Sequence, residues 1–355
     1  MQEIYEFRVQ EQHASRLFAP NEGKKLGWTK LFGDKFVTVR KIELSADDPK
    51  FKRVGELNDL IKKEPNGFFF AGWNIHRRYA AEEIKAAELF QLRNAPAFEP
   101  TGEECGTVYD ETIECLTCGA GRKQVSPLRL NLRKIPKAKD LVRTIANEWV
   151  VSQRLVNALV DANMSGVEFQ PVHHQLNSRV DEPMEFEKTA AGREIIQSAA
   201  DVGIELHSAK FYFWLNRKEQ REILNAAHKQ YLELLQVKDI RRTSPLPRWY
   251  QLIVKSKPVK IAQVTKTGIN PFDDDAAGKY RCPFGHTAGF TLLSELYIER
   301  NSWDGCDIAY TSQLVGEKGD GLIRPRPLIL ISPRIREILI KEKVKGLDIE
   351  IAHLV

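Results

Sequence analysis

The sequence lacks any run of apolar residues that approaches the roughly 20 needed to cross a bilayer as a helix. Its first ten residues, MQEIYEFRVQ, mix acidic, basic and apolar side chains, which differs from the pattern of a secretory signal. Cysteine is also scarce: there are five in 355 residues, and an odd number argues against a scaffold held by disulfides. We therefore expect a cytoplasmic protein that contacts no membrane.

A large excess of charge of one sign is absent as well. The chain has 53 Lys and Arg against 48 Asp and Glu, so its net charge is only +5. This balance is compatible with an acidic partner but does not require one. Residues 122–143 form a basic stretch without any aromatic side chain on which a nucleic-acid base could stack. We expect a solvated face there. A zinc-knuckle nucleic-acid-binding protein, whose affinity would fall steeply with salt, is the alternative.

Two stretches of the chain, residues 151–172 and 331–352, are similar at an offset of 180 positions. Both read as a strand, a serine, an amphipathic helix, a glycine and a second strand. Ser152 and Ser332 are predicted to cap the helices, because a serine hydroxyl can accept a hydrogen bond from a free backbone N–H. The glycine that follows 14 residues later in each copy is predicted to adopt a left-handed conformation beyond the helix.

The similarity extends upstream in the same order. Phe90-Gln91-Leu92 reappears as Tyr250-Gln251-Leu252, the Thr-Gly pair at 101 reappears at 267, and Cys115 then aligns with Cys282. This order predicts an α+β protein of two related lobes that arose by internal duplication. Each lobe is expected to have a mixed sheet, a C-x-x-C or C-x-x-G loop and a helix-Gly-strand ending.

A length of 355 residues fits two domains or one large one, and 42% apolar with 28% charged residues fits a globular core. We predict an N-terminal lobe over 1–178 with a zinc-knuckle-like loop at 105–119, a helical connector over 179–247, and a C-terminal lobe over 248–355 that repeats elements of 90–172. Strands are predicted at 4–9 and 35–44, and helices at 79–91, 185–200 and 216–235.

Cys115-Leu116-Thr117-Cys118-Gly119 has the form of a zinc knuckle. Two thiolates across a two-residue spacer can bind one metal from a tight turn, and the glycine lets backbone amides approach the sulfurs. Cys105 is predicted as a third ligand. The fourth ligand of a structural zinc site stays open among His173, His174, Asp110 and Cys282. Free thiols are the alternative, and a redox dithiol is less favoured because such a motif opens a helix after a strand.

The second motif reads Cys282-Pro283-Phe284-Gly285-His286. Glycine stands where the second cysteine of the first motif stands, and the histidine is displaced from that position by one residue. His286 could serve as a replacement ligand, but we expect this second motif to bind no metal.

The C-x-x-C-G motif at Cys115, the weaker motif at Cys282 and the two helix-Gly-strand endings together resemble the bacterial double-CXXCG motif proteins. This is a paralogous family that includes immunity proteins of toxin systems. The resemblance implies a non-enzymatic, cytoplasmic immunity protein that binds and occludes a cognate bacterial toxin encoded nearby. It supplies no catalytic residues.

No group of residues has spacing that requires a catalytic site. A hydrolase using the 286–307 loop, with His286, Glu295, Asp304 and Asp307 as candidates, is a third possibility that we rank below the other two, because acid-rich loops with glycine are common turns. An enzymatic role is therefore not the expectation.

Overall fold

The computed structural model describes residues 1–19, 21–30, 36–64, 69–176, 189–201, 229–230, 233–234, 245–275, 277–319 and 323–355. The helices within these ranges are α1 (Glu11–Ala14), α2 (Pro49–Ile61), α3 (Ala81–Ala86), α4 (Gln153–Asp161), α5 (Ala190–Asp201) and α6 (Pro333–Lys341), with short 3-10 turns at Glu103–Cys105 and Arg300–Ser302. The helix predicted at 185–200 corresponds to α5. The helix predicted at 216–235 lies outside the described residues, except for 229–230 and 233–234.

The strands are β1 (Gln2–Gln10), β2 (Lys24–Lys30), β3 (Phe36–Leu44), β4 (Phe70–Arg78), β5 (Leu89–Asn94), β6 (Ala97–Phe98), β7 (Tyr109–Asp110), β8 (Lys123–Gln124), β9 (Arg129–Leu130), β10 (Leu141–Thr144), β11 (Trp149–Ser152), β12 (Val167–Pro171), β13 (His173–His174), β14 (Trp249–Val254), β15 (Thr267–Asn270), β16 (Asp273–Asp274), β17 (Thr287–Gly289), β18 (Thr291–Leu292), β19 (Leu296–Ile298), β20 (Ile308–Val315), β21 (Arg326–Ile331) and β22 (Asp348–Leu354). The strands predicted at 4–9 and 35–44 are confirmed by β1 and β3.

Three sheets make up most of the fold. The N-terminal sheet has the order β2-β3-β1-β4, the first central sheet β12-β14-β11-β10-β6, and the second central sheet β17-β20-β21-β5-β22-β19. Both central sheets are mixed, because β6 joins the first in parallel and β17 and β19 join the second in parallel. This mixture of several sheets with few helices agrees with the expected α+β class.

The helix predicted at 79–91 is wrong over its second half. The helix α3 ends at Ala86, and Leu89 begins the strand β5, which lies between β21 and β22. Phe90 and Gln91 in β5 are 2% and 3% exposed, so this strand is covered on both faces. Pairing with two neighbouring strands therefore outweighs the helix propensity of the alanines and glutamates, which is worth less than a kcal/mol per residue.

The two copies of the helix-Gly-strand unit have the expected local structure. Ser152 accepts a hydrogen bond from the backbone N–H of Leu155, and Ser332 accepts one from that of Ile335. The glycine of each unit has a left-handed backbone, with φ of 79° in the first copy and 86° in the second. The predicted caps and glycine conformations are therefore confirmed.

Each central sheet contains one strand from the other half of the chain. The strand β14 lies between β11 and β12, and β5 lies between β21 and β22. Gln251 is opposite Val150 in the first sheet, and Gln91 is opposite Leu330 in the second. The two arrangements have the same register, because Val150 and Leu330 are 180 positions apart, which is also the offset between the two helices. The lobe boundaries at 178 and 247 thus do not coincide with the sheets, and the division into lobes stays a prediction.

The helices α4 and α6 contact each other in a reciprocal way. Arg154 donates a hydrogen bond to the carbonyl oxygen of Glu342 at 3.0 Å, and Arg334 donates one to that of Ala162, also at 3.0 Å. Each pair becomes the other when 180 is added or subtracted. Leu155, Leu159, Ile335 and Leu339 from the two helices lie in one buried apolar cluster with both central sheets. The two halves therefore share this cluster, while further buried clusters lie around Phe98 and Leu128 in the first half and around Leu296 and Leu330 in the second.

Candidate metal centre

The first cysteine motif forms a tight loop held by its own backbone. Gly119 donates its N–H to the carbonyl oxygen of Cys115 at 2.7 Å, and Cys115 donates to that of Ala120 at 2.7 Å. The N–H of Cys118, and then that of Thr117, point at the Cys115 sulfur and lower the pKa of this thiol to about 6. Gly119 has φ of 74°, which a residue with a side chain would adopt only under strain. This is the amide-to-sulfur arrangement expected of a knuckle.

The second motif also turns back on itself. Gly285 donates its N–H to the carbonyl oxygen of Cys282 at 2.9 Å and has φ of 75°. The N–H of Cys282 donates to the Thr287 hydroxyl at 2.7 Å. The turn at Gly285 brings the His286 ring back beside the Cys282 sulfur, and the Nδ1 atom lies 3.6 Å from it.

The two motifs meet and form one group of four donors: Cys115, Cys118, Cys282 and His286. Their ligand atoms all lie within 4.8 Å of one another. The sulfurs of Cys115 and Cys282 are 4.0 Å apart, and the Cys118 sulfur lies 3.6 Å from His286 Nδ1. Tetrahedral zinc, with Zn–S of about 2.3 Å and Zn–N of about 2.0 Å, requires about 3.8 Å between sulfurs and about 3.5 Å between sulfur and nitrogen. The group is therefore close enough to hold one metal ion.

The second motif, which the sequence predicts to bind no metal, lies beside the first, and its cysteine and histidine come within metal-binding distance of Cys115 and Cys118. The sequence signal was present as C-x-x-x-H, with both side chains of a type that binds zinc. In the position-by-position comparison of the two motifs, His286 is opposite Gly119, which gives no sign that the two loops contribute ligands to one site.

The four donors lie at the margin between core and solvent. Cys118 and Cys282 are each 6% exposed and contact Ala120 and Leu314. Burial raises the pKa of Cys118 to about 11, so a bound cation would favour the thiolate that this environment opposes. Cys115 is half-buried and His286 is exposed, which leaves the site open to a metal ion from solvent.

Cys105 is not part of this group. It lies in the 3-10 turn Glu103–Cys105, it is 1% exposed, and burial raises the pKa of its thiol to about 12. Three of the candidates for the fourth ligand also lie elsewhere: Asp110 accepts from Thr112, His174 accepts from Leu132, and His173 belongs to the small sheet of β13 and β9. Of the four, only Cys282 reaches the cysteine pair.

The candidate hydrolytic residues have separate surroundings. Glu295 lies 3.1 Å from His353, and Asp304 accepts a hydrogen bond from the Cys306 N–H within its own turn. Asp307 is buried and accepts hydrogen bonds from Ser165 and from the helix cap Ser332. His286 belongs to the cysteine group, so the four candidate residues do not converge on one point. The buried Asp307 carboxylate accepts a hydrogen bond from the helix-capping Ser332 and so has a structural role.

Two arginines of the basic stretch are engaged within the protein, whereas Lys123, Arg129, Lys134 and Lys137 are exposed. Arg122 pairs with Glu103 and Glu111 and lies over the Tyr109 ring at 4.1 Å. Arg143 donates to Asn94. The nucleic-acid alternative stays a prediction.

In the part of the chain that the structure describes, no helix is long and apolar enough to cross a membrane. No protein-family model matches the chain, and searches of curated proteins and of solved structures gave no significant match. The resemblance to double-CXXCG motif proteins therefore stays a prediction as well.

Proposed function

We propose that the chain is a non-enzymatic binding protein in which one structural zinc ion joins two loops from the two halves. The observation that carries this proposal is the group of four protein donors, three sulfurs and one nitrogen. A catalytic zinc keeps one coordination position open for water or substrate, whereas four protein ligands close the shell. Thiolate and imidazole donors at tetrahedral spacing favour zinc over the harder cations, which take oxygen ligands.

The surface around the metal centre supports a protein as the partner. Leu116, between the two cysteines of the first loop, is 92% exposed, and Phe284, in the second loop, is 70% exposed. Ile113, just before the first loop, is 61% exposed. Large apolar side chains on a rigid, metal-held surface suit a contact that becomes buried on binding. The resemblance to immunity proteins names a cognate toxin as the partner class, and occlusion as the mode of action.

A duplication of an ancestral unit accounts best for how this surface is built. The strands β14 and β5 pair in the same register with strands of the other half, and Arg154 and Arg334 make reciprocal contacts. Both observations support a common origin of the halves. Under this proposal, each ancestral loop supplied one side of the metal site.

Co-expression with the neighbouring gene tests the proposal. We expect the chain to rescue cells from the neighbour's toxicity, and the purified protein to carry one zinc by native mass spectrometry. Leu116→Asp and Phe284→Asp should keep the zinc but lose the rescue. Val264→Asp is the matched control, because Val264 is 55% exposed and lies in neither loop. Absence of rescue by the unmodified chain contradicts the binding function, and absence of zinc contradicts the metal site.

A further inference from the structure

A cavity of about 470 Å³ lies between the second central sheet and the turn that joins β10 to β11. Three arginines line it, Arg93, Arg324 and Arg326, together with the acidic residue Glu317. Part of the wall is apolar and poorly covered by the protein: Ile145 is 48% exposed and Ile323 is 60% exposed. The cavity thus combines excess positive charge with apolar surface.

Two of these arginines are engaged with protein acceptors. Arg93 donates to the backbone oxygen of Ile75 at 2.7 Å and to Glu350 at 2.6 Å. Arg324 donates to Glu114 at 3.1 Å. The charge of Arg93 is compensated by Glu350 and that of Arg324 by Glu114, so we assign these two arginines a structural role in the cavity wall.

Arg326 differs from both. Its side chain donates no hydrogen bond and forms no ion pair with any residue that the structure describes. It is half-buried at the start of β21, and this burial lowers the pKa of its guanidinium. None of its nitrogens is fully buried, so the guanidinium keeps its hydrogen-bonding capacity for a ligand or for water.

Arg143, two positions before the lining residue Ile145, also has no carboxylate partner among the described residues. Arg143 donates only to neutral oxygens, those of Asn94 and Thr144, and no described carboxylate is within ion-pair distance. Burial, and then the charge of Arg326, lower the pKa of Arg143 to about 10. The like charges of Arg143 and Arg326 therefore act on each other, and the carboxylate that lines the cavity, Glu317, is exposed and forms no ion pair with a described residue.

We propose that this cavity binds a phosphate monoester with an apolar or aromatic body, and that Arg326 is its principal anchor. A phosphate monoester carries about −1.5 to −2 charges at pH 7, so the charges of Arg326 and Arg143 attract it more strongly than the single carboxylate of Glu317 repels it. Arginine presents a planar fork that binds two phosphate oxygens at once. Ile145, Ile323 and Phe290 would contact the organic part of the ligand. The proposal rests neither on a bound zinc ion nor on a toxin partner.

Calorimetric titration of the full-length protein tests the proposal with three probes: inorganic phosphate, phenyl phosphate and benzoate. We expect phenyl phosphate to bind more tightly than inorganic phosphate, because of the apolar wall, and more tightly than benzoate, which has a single charge. Arg326→Gln should weaken phenyl phosphate binding at least about tenfold, the usual consequence of losing charge-assisted hydrogen bonds. Arg53→Gln is the matched control, because it removes the same charge from an exposed site on α2 and should leave binding unchanged.

Thermal unfolding separates ligand binding from a structural role. Arg326→Gln removes no bond within the described protein, so the unliganded variant should unfold at the same temperature as the parent or higher. Three results would overturn the proposal: no binding of either phosphate at concentrations up to roughly 10 mM, equal affinity of Arg326→Gln and parent, or benzoate binding as tightly as phenyl phosphate.

Discussion

Replacing Cys282 by serine should remove the response of the protein to a zinc chelator, whereas replacing Cys105 by serine should not. Cys282 is one of the four clustered donors, and Cys105 is buried away from them. The pair is a matched test, because both cysteines are almost fully buried and the change in side chain is the same.

The size of the effect follows from the length of chain that a zinc ion would close. Cys118 and Cys282 are 164 positions apart. A covalent link over such a loop removes unfolded-state entropy worth about 5 kcal/mol at 25 °C, which is an upper value for a metal link. Unfolding entropy of about 2.1 cal/mol/K per residue converts this into a fall in melting temperature of roughly 5–8 °C for a chain of this length.

Differential scanning calorimetry of zinc-loaded protein, with and without EDTA, measures this difference. We expect EDTA to lower the melting temperature of the parent and of Cys105→Ser by similar amounts. Cys282→Ser should already unfold at the lower temperature and should respond little to EDTA. An EDTA-insensitive parent, or a Cys282→Ser variant with an unchanged response, would refute the four-donor site.

Three further predictions concern the fold itself. Gly346→Val should destabilise by roughly 2–4 kcal/mol in urea unfolding, because φ is 86° and a Cβ would lie 2.8 Å from Pro96. Gly72→Ala, in the strand β4 where a Cβ meets only Arg8 at 4.0 Å, should leave stability unchanged or raise it by up to about 1 kcal/mol, and a loss equal to that of Gly346→Val would contradict the argument. Ser332→Ala should cost about 1–2 kcal/mol in the same assay, since it removes the cap of α6 and the bond to Asp307; a change within error would show that the cap is dispensable. Burial alone would raise the pKa of Glu6, but hydrogen bonds from Lys41, His76 and Arg8 lower it from 4.5 to about 2. Because the folded pKa is the lower one, this stabilisation is present above about pH 4.5 and is lost as the pH falls towards 2. Glu6→Gln should reduce the pH dependence of the free energy of unfolding between about pH 4.5 and 2. An unchanged dependence would show that other carboxyl groups cause the loss of stability in acid.

Features that depend on a few neighbouring residues were predictable from the sequence. The caps Ser152 and Ser332 act on an N–H three residues away, and the glycines that follow the helices adopt a conformation that other residues disfavour. The cysteine pair at 115 and 118 is likewise local, because a two-residue spacer and the following glycine define a knuckle.

Features that depend on distant pairing were decided only by the tertiary structure. The segment 89–94 has helix-forming residues nearby, yet it is a strand because two other strands from the far end of the chain pair with it. Cys105 is ten residues from the knuckle but buried elsewhere, while Cys282 and His286 are more than 160 residues away and adjoin it. Proximity in sequence determines which residues can share a turn. The strands β5 and β14 each pair with strands from the other half of the chain, so the halves share one apolar cluster, and the fold brings the two cysteine loops together.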